Sequence, residues 1–376
     1  MLSVEPVTSK KELLAFIKFP MDLYRGNSFH VPPIVDFELS TLDQKKNPAF
    51  DHCKASYWLV KKEGKIVGRI AGIIHDKELA EKGKARFGWI DFIDDQKVVD
   101  LLFETVKQWS EEQHASELHG PLGFTDLDFE GALVSGYDQM ATQATIYNHP
   151  YYISHYERCG FTKAVDWVEV RSYVPKEVPR KIARSASLAS NRFGLKIKEF
   201  KRAKDTLKYA EGVFKVLNEA YSDLYGYYEL TEKQIKYYVD QYFGFIRKEY
   251  VSIVVNDKDE VVAVAISLPT LSRAFQKSKG SFFPFGFFHI LKAFYSNKHL
   301  DLFLIGASPD YQKLGASAVI FNALLTTYIK KGVEYISTGP MLATNRAVLN
   351  QWAEFSEHLH DVNIRRRCYT KSLINE

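Results

Sequence analysis

Apolar and polar positions along the chain switch between two periods. Leu13, Leu14, Phe16 and Ile17 suit a short first helix, and residues 20 to 50, rich in Pro, Asn and Asp, read as an extended, irregular segment. Tyr57 to Lys61 and Ile66 to Ile74 flank Lys62, Glu63 and Gly64, a hairpin signal, and Phe87 to Ile93 supplies a third strand. Val98, Val99, Leu102, Val106 and Trp109 recur at helical spacing, so an amphipathic helix follows and ends near His114. Leu118 to Pro121 is a short strand. Past a Gly- and Asp-rich stretch, Asn148 precedes a Tyr-rich helix through Tyr156, Cys159, Gly160 and Phe161, and a strand runs up to Tyr173.

Composition shifts between Val174 and Gly194, which hold Pro175, Pro179, the basic residues Lys176, Arg180, Lys181, Arg184 and Arg192, and a run of Ser and Ala. Pro179 can start a helix and Gly194 can stop it, so the segment reads as a helical linker with a solvated basic face. Beyond it the order of elements repeats. Leu195 to Phe200 is a strand, residues 203–222 and 231–248 are helical, and Tyr250 to Val255 with Val261 to Leu268 flank Asp257, Lys258 and Asp259 as a second hairpin. An insertion, a strand, a loop, a helix, a strand ending at Gly339 and Pro340, Asn345, a helix and a last strand into Tyr369 complete the chain. Setting Gly120-Pro121 on Gly339-Pro340, an offset of 339 − 120 = 219, lays Leu101, Leu102, Val106 and Trp109 on Ile320, Phe321, Leu325 and Tyr328. Arg171 and Arg367 each stand two residues before Tyr173 and Tyr369. The ordered set points to a duplicated α/β unit. The 376 residues also exceed the roughly 250–300 at which one core stops growing, so an N-terminal domain over 1–174, a linker over 175–194 and a C-terminal domain over 195–376 are expected.

Residues 302–317, LFLIGASPDYQKLGAS, carry the most specific pattern. Leu302 to Ile305 is strand-like, Pro309 and Asp310 interrupt it, and Ala316, Val319, Ile320, Ala323 and Leu324 recur at helical spacing. A strand therefore runs through a loop into a helix. The first helical N–H groups there lack intrahelical partners and, with the helix dipole, suit a phosphate, although a tight turn entering a helix needs glycine even where nothing binds. The order Pro309, Tyr311, Gln312, Lys313, Leu314, Gly315, Ala316 resembles the pyrophosphate loop of the GNAT acyltransferase superfamily, Q/R-x-x-G-x-G/A, with Ser317 standing where Gly or Ala is usual. The resemblance implies a duplicated GNAT-like acyl-CoA N-acyltransferase fold, α/β, with a mixed, twisted sheet flanked by helices in each half. It implies acetyl-CoA or another acyl-CoA as cosubstrate and no metal. The binding set it implies is Ile305, Gly306 and Ala307 of the strand, Gln312, Lys313, Leu314, Gly315, Ala316 and Ser317 of the loop, and Asn345. The same offset sets Asp91, Asp94 and Asp95 opposite Asp310, Lys313 and Leu314; carboxylates beside a helix start cap it but repel a pyrophosphate, so only the second half is expected to bind acyl-CoA.

Acylation of an amine by a thioester requires a base for the amine and an acid or solvent for the leaving thiolate. The family often places an Asn after the next strand and a Tyr along the following helix; Asn345 matches, but Trp352 stands seven residues on, and an indole does not donate that proton. Asn148 with Tyr156, Glu157, Gly160 and Phe161 resembles that helix in the first half, with Tyr156 read first as core packing and otherwise as part of a composite site. Tyr225, Tyr227, Tyr228 and Glu229 form either a substrate-facing loop or an aromatic surface loop. His299 and Asp301 are candidate bases or idle strand-end residues, and no base is assigned. Arg365, Arg366 and Arg367 read as a solvated strand edge, or as contacts for CoA phosphates. The insertion at 271–298, dense in Phe around Pro284 and Gly286, is read as packing, with an acyl pocket or a dimer face as alternatives.

Hydrophobic residues at 46% and charged residues at 26% exclude a disordered chain. A net charge of +4, spread along the sequence, gives no reason to invoke nucleic acid, which disfavours a tRNA-dependent aminoacyl transferase. Cys53, Cys159 and Cys368 are far apart with no Cys-x-x-Cys or Cys/His cluster, an argument for a reducing compartment and against disulfides or zinc. Charges and Pro6 stand where a signal peptide needs an unbroken apolar core, and no apolar run reaches the about 18 residues of a membrane span, so the cytoplasm is the default. The expected activity is acyl transfer to a small-molecule or peptide amine; a catalytically silent CoA-binding or interaction protein is the alternative.

Overall fold

The computed structural model describes residues 1–282, 285–296, 298–353 and 364–374. In chain order its strands are β1 (Leu2–Pro6), β2 (Cys53–Lys62), β3 (Lys65–His75), β4 (Lys84–Phe92), β5 (Glu117–Gly120), β6 (Ala132–Ser135), β7 (Thr162–Glu169), β8 (Arg171–Tyr173), β9 (Lys196–Ile197), β10 (Val251–Val255), β11 (Val261–Pro269), β12 (His299–Ala307), β13 (Tyr335–Thr338), β14 (Met341–Leu342) and β15 (Ile364–Ser372). They form two mixed sheets. The first has the order β1-β2-β3-β4-β5-β15-β7-β14, with β6 pairing β15 beyond the end of β5; the second is β8-β13-β12-β11-β10-β9.

Local chemistry explains the elements. The β2–β3 turn puts Glu63 and Gly64 at φ of 52° and 78°, the left-handed pair that a two-residue hairpin demands. The helix Gln96–Glu112 buries Val98, Val99, Leu102 and Val106 on the first sheet, each worth roughly 1.5–3 kcal/mol of transfer. It sits so close that a Cβ on Gly72 of β3 would come within 2.7 Å of the Trp109 ring. The helix Arg180–Phe193 starts after Pro179 and stops at Gly194 with φ 65°, as its sequence predicts. Its basic residues are exposed, and its Ile182, Ala186 and Ala189 are buried against Val319 and Ile320 in the second core. The helices Ala210–Tyr221 and Glu232–Tyr242 are shorter than their predicted spans because 3-10 turns take Ala203–Tyr209 and the residues after Tyr242.

The two sheets exchange strands. β8 follows β7 after one residue yet pairs with β13 of the second sheet, and β15, last in the chain, inserts between β5 and β7 of the first. This position corrects the reading of Arg365–Arg367 as a solvated edge. β15 has neighbours on both sides, so Arg366 is buried and pairs with Glu169 at 2.6 Å, while Arg367 pairs with Asp166 at 2.7 Å; Arg365 alone of the three is exposed. The insertion is a pair of helices, Ser272–Ser278 and Gly286–Ser296; Pro284 lies outside the described residues. Phe275 and Ile290 bury one side of the pair against Tyr24, Val31, Ile34 and Tyr147 of the first half.

Candidate functional site

β12 and β13 run parallel from His299↔Tyr335 to Leu302↔Thr338 and then part. The Gly339 N–H still donates to the Leu302 carbonyl at 3.2 Å, but the chain leaving β13 crosses to the first sheet, where β14 pairs with β7. The departure opens a wedge beside residues 303–307. A register shift on the other edge of β12, between Ile266 and Ser267 of β11, makes Phe303 a bulge at the point of parting.

The cleft in this wedge measures about 1140 Å³ with its open mouth and is lined by Asp301–Ile305, Thr338–Leu342, Asn345, Tyr221 and, from the first half, Asp126, Leu127, Asp128, Glu130 and residues 142–144. From sequence, the stretch between Pro121 and Asn148 reads only as Gly- and Asp-rich. The signal was there in three carboxylates within five residues, Asp126, Asp128 and Glu130, alternating with Leu127 and Phe129. Asp128 is spent on folding the loop, since its carboxylate accepts the N–H groups of Phe124 and Thr125 at 2.8 and 3.0 Å. Asp126 and Glu130 act on each other; burial pushes both carboxyls upward, and the charge of Asp126 raises Glu130 further. Two such neighbours resist ionising together, so the pair keeps a proton above the usual carboxylate range.

Asp301 is not the exposed strand-end residue expected, because β12 begins at His299 and Asp301 lies inside it, 5% exposed. Thr270 donates to its Oδ1 at 2.7 Å, and burial pushes its carboxyl up to about 7. Its Oδ2 and the buried Oε1 of Gln143 have no hydrogen-bond partner among the described residues. Both residues line the cleft, whose described lining has no Lys, Arg or His. A wall of acceptors and carboxylates is a receptor for a cation or for hydroxyl and ammonium donors.

The loop after β12 is folded by its own side chains. Gln312 Nε2 donates to the Ala307 carbonyl at 2.8 Å, Ser308 Oγ donates to Glu219 at 2.8 Å, and Gly315, with φ 89°, opens the helix Ala316–Lys331. A Cβ on Gly315 would lie 2.9 Å from that of Ala189. The N–H groups of Ala316 and Ser317, first in that helix, precede any intrahelical acceptor. Of the expected binding set, Ile305 and Asn345 line the cleft. Gly306 faces Leu217 and Ala220, Ala307 is buried, and Gln312–Ser317 stand apart at the helix start. Tyr221, unmarked by the sequence, donates its hydroxyl to the Ile305 carbonyl at 2.9 Å. Trp352 is buried edge-on against Phe321.

The equivalent wedge in the first half is filled. β4 and β5 part after Arg86↔His119, and there the Tyr152 hydroxyl accepts the Phe92 N–H at 3.1 Å while Tyr151 donates to the Phe92 carbonyl at 2.7 Å. Tyr24 donates to Asp91, and Arg69 pairs with Asp91 at 2.7 Å. The three aspartates do not cluster at the helix start as expected. Asp91 is buried within β4, Asp94 meets His155 at 2.7 Å, and Asp95 alone caps the helix, because three residues (93–95) join strand to helix here against eight (308–315) in the second half. Tyr156 packs in the core against Phe87, Phe103 and Tyr369. Tyr225, Tyr227 and Tyr228 neither reach the cleft nor lie free; Tyr225 meets His119 at 2.9 Å, Tyr227 donates to Asn218, and Tyr228 stacks on His75. Pairing of β2 with β3 also gathers His52, Cys53 and His75, whose ligand atoms lie within 4.8 Å of one another, a grouping the spacing alone concealed; burial pushes the Cys53 thiol up to about 12, so it is neutral at ordinary pH.

A tandem GNAT protein of the clavulanic acid biosynthesis pathway superposes over 100% of both chains at a TM-score of 0.57 and 11% identity. The chain carries the tandem GNAT fold. No family model matches it. Among curated proteins it is 25% identical to Protein YghO of Escherichia coli K12 over 359 residues, 92% of this chain and 90% of that one. It is 27% identical to a bacterial ceramide synthase of Caulobacter vibrioides over 297 residues, 77% and 76% of the two chains. No helix among the described residues is long and apolar enough to cross a membrane.

Proposed function

We propose that the protein is an acyl-CoA-dependent N-acyltransferase whose amine acceptor carries a long hydrocarbon chain. The single observation that carries the reading is the carboxylate-rich wall of the β12–β13 cleft, which holds no Lys, Arg or His among its described lining residues. An amine arrives as an ammonium ion, and Asp126, Glu130, Asp301 and Gln143 are what such an ion binds. Acyl-CoA fits the other edge: the backbone of residues 303–307 is unpaired with β13, and the helix start at Ala316 and Ser317 offers N–H groups to a pyrophosphate. The first half is assigned no cosubstrate, because Tyr151 and Tyr152 occupy its strand edge.

The thioester, when bound, supplies the activated acyl carbonyl. Asp126 takes the proton that the ammonium must shed before its nitrogen can attack, and Glu130 holds the proton that the pair keeps. Tyr221 stands at the strand edge; turning from the Ile305 carbonyl, its hydroxyl gives its proton to the leaving sulfur as the C–S bond breaks and takes back the second proton shed by the acylated nitrogen. An adjoining cavity of about 680 Å³ with its open mouth, lined mainly by Ile34, Phe37, Trp89, Phe245, Leu268 and Phe275 with Glu38 and Gln241 among them, shares Leu127, Ala144 and Phe303 with the cleft. It suits a hydrocarbon chain, and the Caulobacter relative's name is that of an enzyme whose product is a long-chain amide. Release of CoA thiol from acyl-CoAs of graded length with short- and long-chain primary amines tests the proposal. Turnover requiring a long-chain amine is expected; thiol release with short amines alone, or with none, contradicts it.

A further inference from the structure

The helix Gly286–Ser296 is apolar on both sides. Gly286 and Ile290 face the core, yet Phe285, Phe288 and Tyr295 are 71%, 61% and 68% exposed, and Phe287 and Leu291 are exposed beside them. Positions 288, 291 and 295 share one helical face, and 287 and 291 are one turn apart, so the exposed side chains form a continuous stripe. A helix apolar all round is normally covered. No Asp or Glu occurs from Thr270 to Leu300. Arg273, Lys277, Lys279 and Lys292 of the same two-helix insertion are exposed and carry no ion pair among the described residues.

We infer that this face docks on an anionic lipid surface. Exposed Phe, Leu and Tyr on a helix parallel to a bilayer bury in the boundary between headgroups and acyl chains, and lysines around them meet the phosphates. A second copy of the chain would set four like charges against four. The insertion also leads inward. Phe275, on its first helix, lines the largely aromatic cavity that adjoins the acceptor cleft, so a lipid amine would pass from membrane to carboxylates under this face. That last step rests on the function proposed above, whereas the docking itself does not.

Flotation with vesicles of phosphatidylcholine, with and without phosphatidylglycerol, tests it without turnover. The full chain should float with the anionic vesicles, and raising NaCl from about 0.1 to about 0.5 M should weaken binding about tenfold or more. The combined variant Phe285→Ser, Phe288→Ser, Leu291→Ser, Tyr295→Ser should lose binding while its melting temperature is kept. Reversing charge alone, Arg273→Glu, Lys277→Glu, Lys292→Glu, should lose binding with the apolar stripe intact. Failure of the wild type to float overturns the docking. So does a serine variant that still floats, or one that changes only from dimer to monomer in sedimentation. Floating protein that releases no CoA thiol would uphold the docking and count against the proposed activity.

Discussion

Glu169 and Arg366 lie 197 residues apart and form a buried ion pair at 2.6 Å between β7 and β15. Arg366 also donates to the Ile146 carbonyl, so one residue of the last strand ties down two segments of the first half. The pair holds the exchanged strand in the first sheet. The first half is therefore incomplete without the end of the chain.

Arg366→Ala leaves Glu169 charged and buried, which should cost about 3–5 kcal/mol. Because β15 belongs to the first sheet and is covalently part of the second half, unfolding should remain a single transition. Denaturation followed by Trp fluorescence and by far-UV circular dichroism checks this; two separated transitions would contradict it.

Asp301 titrates against stability. Its folded-state carboxyl is raised to about 7 by burial, so the unfolded state ionises first and stability falls as pH climbs from about 4 to about 7. Asp301→Asn removes that loss and keeps an acceptor for Thr270. The variant should melt like the wild type near pH 4 and be more stable at pH 8, on the order of 2–4 kcal/mol. A difference independent of pH would contradict the assignment.

Ser317→Glu separates binding from folding. A carboxylate in the first turn of the helix Ala316–Lys331 favours the helix, yet it would repel a pyrophosphate at those same N–H groups. Calorimetric titration should show acyl-CoA binding weakened about tenfold or more, with an unchanged or higher melting temperature. Unchanged affinity would move the cosubstrate elsewhere.

The base must be ionised to act, and burial has raised the carboxyl of Asp126. The acid limb of kcat/KM should therefore fall off well above the about 3.9 of an ordinary aspartate, tenfold per pH unit below the pair's apparent pKa. A limb near pH 4 would rule out the buried pair.

The sequence made the duplicated α/β order legible because strand and helix periods are local properties, and Gly315 marked the loop for the same reason. The long-range placements were not legible. Neither the insertion of β15 between β5 and β7 nor the crossing of Asp126 and Glu130 into the second half's cleft leaves a trace in local periodicity. Asp301 looked exposed because the strand was begun three residues late, at Leu302 instead of His299. The offset of 219 placed Asp91 beside a helix because an ungapped alignment does not register the shorter 93–95 connection.

The most direct test of the account is steady-state turnover of Asp126→Asn with a long-chain acyl-CoA and a long-chain primary amine, alongside its calorimetric affinity for the acyl-CoA. Asn keeps the shape and cannot take the proton. The account predicts kcat lower by about 10²-fold or more with acyl-CoA affinity unchanged. A variant that turns over at the wild-type rate would contradict a first-half carboxylate acting in the second half's cleft.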